Sequence, residues 1–235
     1  MELIDQPITL EQAFEDFRDR ILDYCERGLR VFASSSFQTQ SVPLLHQISR
    51  IGPSIPVYFL DTGYHFPETI AFRRRIAALF ELEVIDLRSP VSKSDQLDPG
   101  GRLFFASDPD HCCYLNKTLP MEGVLREHDV WVSGLRRDQN SHRRTFTIEE
   151  KGPHGTLRFH PMLAWNSGMI EAYIEKHDLP RHPLEERGYL SVGCEPCTRR
   201  LATRDQRKGR AGRWEGLHKT ECGLHTDLIA RDPVT

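Results

Sequence analysis

The sequence predicts an α/β fold in which a twisted parallel sheet carries helices on both faces. Short apolar segments of strand length recur along the chain, amphipathic segments of helix length separate them, and polar loops follow the apolar segments. This alternation is typical of a parallel sheet that is covered by its own crossover helices. The predicted strands are Arg30–Ala33, Val57–Leu60, Leu82–Leu87 and Val130–Ser133.

The predicted helices lie before and between these strands. Thr9 and Gln12 have the spacing of a capping box and begin an amphipathic segment that runs to about Arg27, where Gly28 ends it. Its apolar side chains recur on one stripe, at Phe14, Phe17, Ile21 and Leu22. Further helices are predicted from after Ser41 to about Ile51, over Pro67–Glu81, and from near Cys112, after a polar loop over Ser89–Asp110.

Length, charge and composition exclude several classes of protein. The 235 residues suffice to bury a substantial core, and a net charge of −3 argues against binding to nucleic acid or an anionic membrane through overall charge. Acidic residues near Met1 and the lack of an apolar run of about 18 residues argue against export and membrane spanning. We therefore expect a cytoplasmic protein with reduced cysteines, in which paired cysteines indicate metal or redox chemistry rather than disulfides.

The chain has six cysteines, and their spacing predicts a metal centre and a separate nucleophile. Four of them form an adjacent pair and a C-x-x-C pair that can together hold one centre: Cys112, Cys113, Cys194 and Cys197. Zinc and an iron–sulfur cubane both remain open, although adjacent helical residues point roughly 100° apart, which suits two corners of a cubane better than one ion. Cys222 stands apart in a polar, glycine-containing segment and is the candidate nucleophile. Cys25 lies in the first predicted helix, where we expect a packed thiol.

Polar loops follow three of the predicted strands, and the carboxyl ends of parallel strands meet in one crevice. Ser34–Ser36 lead into a helix, where hydroxyl and N–H groups can donate to phosphate or sulfate, or simply cap the helix. Residues 61–63 are read either as part of the crevice or as an ordinary tight turn. Residues 134–144 hold four arginines and a histidine, which predict either anion binding or a solvated charged loop. Lys117, one turn after the adjacent cysteines, is either a cation beside the metal centre or a solvated side chain.

The apolar pattern ends after Cys197, where residues 198–214 are basic and punctuated by glycine. This change predicts a nucleotide-binding and cluster-binding α/β domain over residues 1–197. A mobile lid or tail over residues 198–235 would then carry Cys222.

Several motifs, taken together, resemble the assimilatory sulfonucleotide reductases, which reduce adenylyl sulfate (APS) or its 3′-phosphorylated form (PAPS) to sulfite. The resemblance extends from about Val31 to His225. The motifs that carry it are Ser34–Phe37, Leu60–Thr69, Cys112–Cys113, Gly134–Gln139, Cys194–Cys197 and Glu221–His225.

The resemblance implies an adenine-nucleotide α-hydrolase-like fold, a 4Fe–4S cluster on the two cysteine pairs, and catalysis by Cys222. That thiol would carry an S-sulfocysteine until thioredoxin, or a glutaredoxin-like reductant, releases sulfite. The implied contacts to the nucleotide and sulfate are Ser34, Ser35, Ser36, Lys117, Gly134, Arg144, Arg210, Arg213 and His225. Arg143 is the alternative to Arg144 in this set.

Two features favour different substrates within the family. The serine loop resembles the cluster-free branch, which uses PAPS, whereas the four paired cysteines are those of the branch that uses APS. We weight the cysteines more and expect an APS reductase, with a PAPS-preferring or dual-specificity enzyme as the alternative. No nucleic acid or membrane partner is expected, and a homo-oligomer is left open.

Two other classes of function are weaker alternatives. An ATP-dependent adenylating enzyme of the same fold usually has glycine and an acid where this chain has Gln38 and Thr39. A zinc-stapled RNA-binding module would use the basic tail, but that tail lacks interleaved aromatic residues for base stacking.

Overall fold

The computed structural model describes residues 9–200, 212–214, 219, 221, 224 and 228. Within this part of the chain one six-stranded sheet has the order β3-β2-β1-β4-β6-β5. Its strands are β1 Val31–Ser34, β2 Val57–Leu60, β3 Val84–Leu87, β4 Val130–Ser133, β5 Glu149–Lys151 and β6 Leu157–Phe159. The α-helices are α1 Leu10–Glu26, α2 Val42–Ile48, α3 Pro67–Leu79, α4 Phe104–Ser107, α5 Pro109–Cys113, α6 Leu119–Glu127, α7 Ser167–Lys176 and α8 Pro183–Glu186.

Five of the six strands are parallel, and β5 pairs antiparallel with β6 at one edge. Ser34 at the end of β1 is in register with Ser133 at the end of β4. The polar loops after these two strands therefore begin side by side at one edge of the sheet, as the sequence predicts.

Helices cover both faces of the sheet, which confirms the predicted fold class. Along β1, Val31 and Ala33 point to one face and Phe32 to the other, the period of two expected of a strand. The first face packs against α1, α2, α3 and α7, and the second against α6. Leu224 and Leu228, from the predicted tail, also pack on the second face.

The N-terminal helix forms as predicted. Thr9 Oγ1 accepts a hydrogen bond from the Gln12 backbone N–H at 3.2 Å, and the Thr9 backbone N–H donates to Gln12 Oε1 at 3.1 Å. Both halves of the capping box are therefore present. Cys25 packs partly buried against the core of the first face, as expected.

Several predicted boundaries shift by a few residues. Strand β3 begins at Val84 instead of Leu82, because the Leu82 N–H still bonds to the Ala77 carbonyl at 3.0 Å and closes the end of α3. Helix α2 ends at Ile48 and is preceded by a 3-10 turn, Thr39–Ser41. The helix predicted from near Cys112 begins at Pro109, since Asp108 caps it by accepting from the His111 N–H at 3.0 Å.

A π-helical turn, Tyr114–Thr118, joins α5 to α6 and carries Lys117. Pro120, near the start of α6, has no N–H to donate to the carbonyl four residues earlier, and its ring crowds that carbonyl. The wider turn relieves this conflict. Turns of this kind are frequent at functional sites.

Strands β5 and β6 lack the short apolar run from which the other strands are predicted. Strand β5 consists of Glu149, Glu150 and Lys151, and β6 buries Arg158 completely. The Arg158 Nη1 atom lies 3.0 Å from Glu150 Oε1, so an ion pair joins the two strands. Among the described residues, no helix is long and apolar enough to cross a membrane.

A buried histidine beside α8 makes stability depend on pH. His182 is 1% exposed; its Nδ1 accepts from the Leu184 N–H at 3.2 Å, which leaves Nε2–H to donate to Thr69 Oγ1 at 3.0 Å. Burial lowers the pKa of His182 to about 4. The ordinary pKa of histidine is about 6.5, so between these values the unfolded chain binds a proton that the native state does not.

We expect the free energy of unfolding to fall as the pH is lowered from about 6.5 to 4, with His182 contributing about 1.4 kcal/mol per pH unit. Urea unfolding at several pH values measures this slope. His182→Gln should flatten the slope, because it removes the group that binds the proton only in the unfolded chain. Equal slopes for the wild type and His182→Gln would contradict the prediction.

Candidate active site

A cavity of about 390 Å³ opens at the carboxyl ends of β1, β2 and β4. Loops that the sequence analysis expects to converge supply its wall. Ser34–Ser36 come from the loop after β1, Leu60 from the end of β2, and Ser133 and Gly134 from the end of β4. The predicted crevice is therefore present, and its volume is in the range of small-ligand sites.

The serine loop is held in a tight turn by its own hydroxyl groups. Ser35 Oγ accepts from the Phe37 N–H at 3.1 Å, and Phe37 has a left-handed backbone with φ of 51° and a fully buried ring. The Ser34 hydroxyl accepts from the indole N–H of Trp131 at 2.8 Å. The loop leads into the 3-10 turn before α2 and not directly into an α-helix.

The arginine-rich loop after β4 places some of its cations in the cavity wall and others on the surface. Arg136 is 2% exposed; its Nε donates to Asp138 Oδ1 at 2.9 Å and its Nη1 to Gln40 Oε1 at 3.0 Å. Arg143 is also buried and lines the cavity. Arg144 is exposed and is not part of the lining.

Arg143 forms a two-pronged ion pair with Glu221 inside the protein. Its Nε donates to Glu221 Oε2 at 2.6 Å and its Nη2 to Oε1 at 3.0 Å, while Asn140 Nδ2 donates to Oε2 at 2.9 Å. Their side chains are 6% and 3% exposed, and both line the cavity. The pair therefore attaches a residue of the predicted tail to the loop after β4.

A chain of hydrogen bonds runs from the cavity wall into the edge of the sheet. Ser133 Oγ lies 2.8 Å from His160 Nδ1, and His160 Nε2 lies 3.1 Å from Glu150 Oε1. Burial lowers the pKa of His160. Although burial opposes it, the hydrogen bond from His160 and the charge of Arg158 lower the pKa of Glu150. A neutral His160 and an ionised Glu150 thus fix the Ser133 hydroxyl as the donor to Nδ1.

A second, smaller cavity lies beside the first and is lined by all four paired cysteines: Cys112, Cys113, Cys194 and Cys197. Thr62 Oγ1 lies 3.3 Å from Cys194 Sγ, and Asn116 Nδ2 donates to Cys112 Sγ at 3.6 Å. The turn over residues 61–63 therefore contributes to this site and is not only a chain reversal.

These thiols are unfavourable places for negative charge unless a cation joins them. Burial, reinforced by Cys194 and Cys197, raises the pKa of Cys112 to about 11. Burial and Cys194 raise the pKa of Cys197, although Lys117 and Arg213 oppose the shift. Among the described residues, no three His, Cys, Asp or Glu side chains meet closely enough to hold one metal ion.

Lys117, Cys194 and Arg213 line both cavities and form the wall between them. The Arg213 guanidinium lies directly over Gly193, where a Cβ atom would come within 2.3 to 2.4 Å of three of its atoms. Arg213 Nε donates to the Cys197 carbonyl at 3.3 Å, and its Nη1 to the Val192 carbonyl at 3.4 Å. Gly193 is therefore required for this close approach.

The structure brings most of the predicted site residues together. The described members that line the larger cavity are Ser34, Ser35, Ser36, Lys117, Gly134 and Arg213, and the four paired cysteines line the smaller one. Arg144 lies outside both cavities, and Arg143 occupies the position facing the larger one. The predicted residues Cys222, Arg210 and His225 lie outside the described residues.

Sequence reasoning missed several residues of the two sites. Arg136 belongs to the predicted charged loop, but nothing in the sequence distinguishes this buried arginine from its exposed neighbour Arg137. His65 also lines the larger cavity, with Nε2 2.8 Å from the Leu60 carbonyl oxygen. Lys93 lies behind the cysteine cavity, in a polar loop where no sequence pattern indicates a site. Only the fold reveals these positions.

The α/β fold places a cavity of small-ligand size, lined by serines and arginines, beside a four-thiol cavity, and comparison with known proteins gives the family. Residues 30–200 match the phosphoadenosine phosphosulfate reductase domain. The chain therefore belongs to this family and is a member of the sulfonucleotide reductases.

Relatives of known name cover most of this chain. A Bacillus cytotoxicus protein named adenosine 5′-phosphosulfate reductase is 36% identical over 92% of this chain and 88% of its own length. One of the same name from Streptomyces coelicolor is 39% identical over 84% and 83%. A Gloeobacter violaceus protein named phosphoadenosine 5′-phosphosulfate reductase is 34% identical over 84% and 83%.

Solved structures share the fold at low sequence identity. A phosphoadenylyl-sulfate reductase from Candida auris, solved with phosphate, has a TM-score of 0.64 at 20% identity, covering 80% of this chain and 96% of its own. The FMN adenylyltransferase of Candida glabrata, solved with FAD and pyrophosphate, has a TM-score of 0.60 at 14% identity, covering 100% and 82%. The second likeness concerns fold alone and does not favour the adenylating alternative.

We expect Gly193→Ala to weaken binding of adenosine 5′-phosphosulfate by roughly tenfold, because the added methyl displaces Arg213, a cation in the wall of the larger cavity. Isothermal titration calorimetry measures the affinity. Gly123→Ala is the matched control, since a Cβ there meets nothing within 4 Å. Unchanged affinity in Gly193→Ala would show that the position of Arg213 does not matter for binding.

Proposed function

We propose that this protein is a thioredoxin-dependent adenylyl-sulfate reductase of assimilatory sulfate reduction. It converts APS to AMP and sulfite through an S-sulfocysteine on Cys222. The observation that carries the proposal is the wall of Lys117 and Arg213 between a nucleotide-sized cavity and a four-thiol cavity. Family membership and the names of the relatives support the reaction.

The larger cavity holds the nucleotide in this proposal. Backbone and hydroxyl groups of Ser34–Ser36 face the same space as Arg136 and Arg143. These groups suit a phosphosulfate, because fixed cations and N–H donors stabilise charge without reorganising during the reaction. Lys117 and Arg213 contact the sulfate end, which lies nearest the cysteine cavity.

Cys222 is the proposed nucleophile, and its sequence neighbour supports the assignment. Glu221 is fixed at the cavity by Arg143, and Cys222 follows it directly. Residues 198–235 act as the lid that carries this thiol, and Arg210, Arg213 and His225 favour its thiolate form.

The reaction then proceeds by transfer of the sulfonate to Cys222, followed by thiol exchange with thioredoxin. The Cys222 thiolate attacks the sulfur of the sulfate group, an S–S bond forms, and the bond from sulfur to the bridging oxygen breaks. AMP leaves with that electron pair, so Cys222 carries a sulfonate. A thiolate of thioredoxin attacks Cys222 Sγ and sulfite leaves with the S–S pair; the second thioredoxin thiol then frees Cys222. The thioredoxin dithiol supplies both electrons.

We propose that Cys112, Cys113, Cys194 and Cys197 hold a 4Fe–4S cluster. The donor set fits, because four thiols and no carboxylate of the described residues line the smaller cavity. Adjacent cysteines on a helix point roughly 100° apart, which suits two iron corners of a cubane better than one tetrahedral zinc ion. When bound, the cluster supplies a fixed charge beside Lys117 and Arg213 that helps to orient the sulfate.

The proposed setting follows from the chemistry of the partner. Thioredoxin is kept reduced in the cytosol, so we place the enzyme there. The relatives carry both substrate names, and the cysteine quartet leads us to propose APS as the preferred substrate. An ATP-dependent adenylating function and an RNA-binding function gain no support from the relatives' names.

Anaerobically purified protein should be brown, with about four irons and four acid-labile sulfides per chain. Cys112→Ser should lose both the colour and the activity, because one iron corner loses its thiolate. Cys25→Ser is the matched control, a packed thiol outside both cavities, and should keep both. Stoichiometric zinc without sulfide would refute the cluster.

Cys222→Ser should keep the brown colour and still bind nucleotide but release no sulfite, because a hydroxyl is a far weaker nucleophile toward sulfur. Wild-type protein incubated with APS and no thioredoxin should gain a sulfonate on Cys222, detected by mass spectrometry of its peptides. Finding the adduct on Cys25 instead would overturn the assignment.

Side-by-side sulfite assays should give a higher kcat/KM for APS than for PAPS, with some turnover of PAPS because arginines of the cavity tolerate an added phosphate. A tenfold preference for PAPS, equivalent to about 1.4 kcal/mol in transition-state binding, would contradict this specificity and leave sulfonucleotide reduction itself intact.

A further inference from the structure

Lys93 lies in the loop between β3 and α4, and its ammonium group is turned into the protein. Its Nζ atom donates to Asn116 Oδ1 at 2.5 Å and to Gln96 Oε1 at 3.4 Å. The same atom lies 4.0 Å from the centre of the Tyr64 ring, in cation–π geometry. Gly63 allows this approach, since a Cβ there would lie 3.0 Å from Lys93 Cε.

Lys93 and Gln96 together fix the orientation of the Asn116 amide. Asn116 is 1% exposed, and its Oδ1 accepts from both Lys93 and Gln96 Nε2, the latter at 3.1 Å. An ammonium group can only donate, so the amide oxygen must face Lys93 and the amide nitrogen must face away from it. That nitrogen donates to Gln96 Oε1 at 2.7 Å, to the Cys112 carbonyl at 2.9 Å and to Cys112 Sγ at 3.6 Å.

Lys93 acts on the cysteine cavity and not on the nucleotide cavity. Its contacts Tyr64 and Asn116 line the smaller cavity, and neither lines the larger one. Lys117 and Arg213, in contrast, stand in the wall between the two. A group held by four thiolates is anionic and buried, and buried charge is tolerated when a paired charge and hydrogen bonds compensate it.

We propose that Lys93 is a positioning residue for the 4Fe–4S cluster, acting through Asn116 on the sulfur of Cys112. Its charge polarises the amide and holds an N–H donor on that sulfur. The inference rests on the proposed function, because it requires that the four cysteines bind the cluster. Outer-shell partners of this kind commonly change metal retention by 10- to 100-fold.

The experiment measures the rate at which anaerobic holoprotein loses iron to a ferrous chelator. Lys93→Met, which keeps the length of the side chain and removes its charge, should lose iron roughly tenfold faster than the wild type. Lys93→Arg, which keeps a cation, should restore most of the retention. Lys151→Met, at an exposed lysine of β5, is the matched control and should behave as the wild type.

Two further readouts separate this role from a structural one. The far-UV circular dichroism of the apoprotein and the KM for APS should be the same in the wild type and Lys93→Met, since the fold stays intact and Lys93 lines neither cavity. If Lys93→Met does not fold, Lys93→Gln takes its place with the same expected result. Equal rates of iron loss in the wild type and the neutral variants would overturn the inference. Wild-type protein that assembles no cluster would instead refute the proposed function.

Discussion

The buried ion pair between Arg143 and Glu221 is the constraint on which the rest of the site depends. Both side chains are almost inaccessible to solvent, and two hydrogen bonds between them, with a third from Asn140, satisfy the carboxylate. Removing one partner of such a pair costs about 3–5 kcal/mol, because the other charge is left buried and unpaired. The pair therefore sets where the C-terminal segment meets the loop after β4, next to the residue that we propose as the nucleophile.

The wall between the two cavities likewise pairs buried charges, here those of the proposed cluster and substrate with nearby cations. Lys117 and Arg213 each face both the proposed nucleotide site and the four thiols, so one set of cations serves two anions. Lys93 adds a cation that reaches only the cysteine side, through Asn116. Positive charge is thus distributed around the thiols. Cations placed between and around the two sites explain how the proposed cluster and a charged substrate can lie side by side.

Sequence reasoning predicted the alternating fold, the converging loops and the shared cysteine cavity because each depends on local pattern or chain order. Strand β5, with two glutamates and a lysine, has no apolar signal, since its pairing with β6 depends on the ion pair between Glu150 and Arg158. The roles of Arg143 and Arg144 could not be separated either. Two adjacent arginines differ only in the direction in which their side chains point. Glu221, which forms the ion pair with Arg143, lies 78 residues away in the sequence.

In the proposed mechanism, Arg143 and Glu221 hold the Cys222 thiol where it can attack bound substrate. A single-turnover measurement tests it directly: holoprotein is mixed with APS in the absence of thioredoxin, and sulfonation of Cys222 is followed by mass spectrometry. Glu221→Gln, which keeps the shape of the side chain and removes its charge, should bind APS and retain iron but sulfonate at least roughly tenfold more slowly, as expected when a reacting group is misplaced. Sulfonation at the wild-type rate in Glu221→Gln would contradict the account.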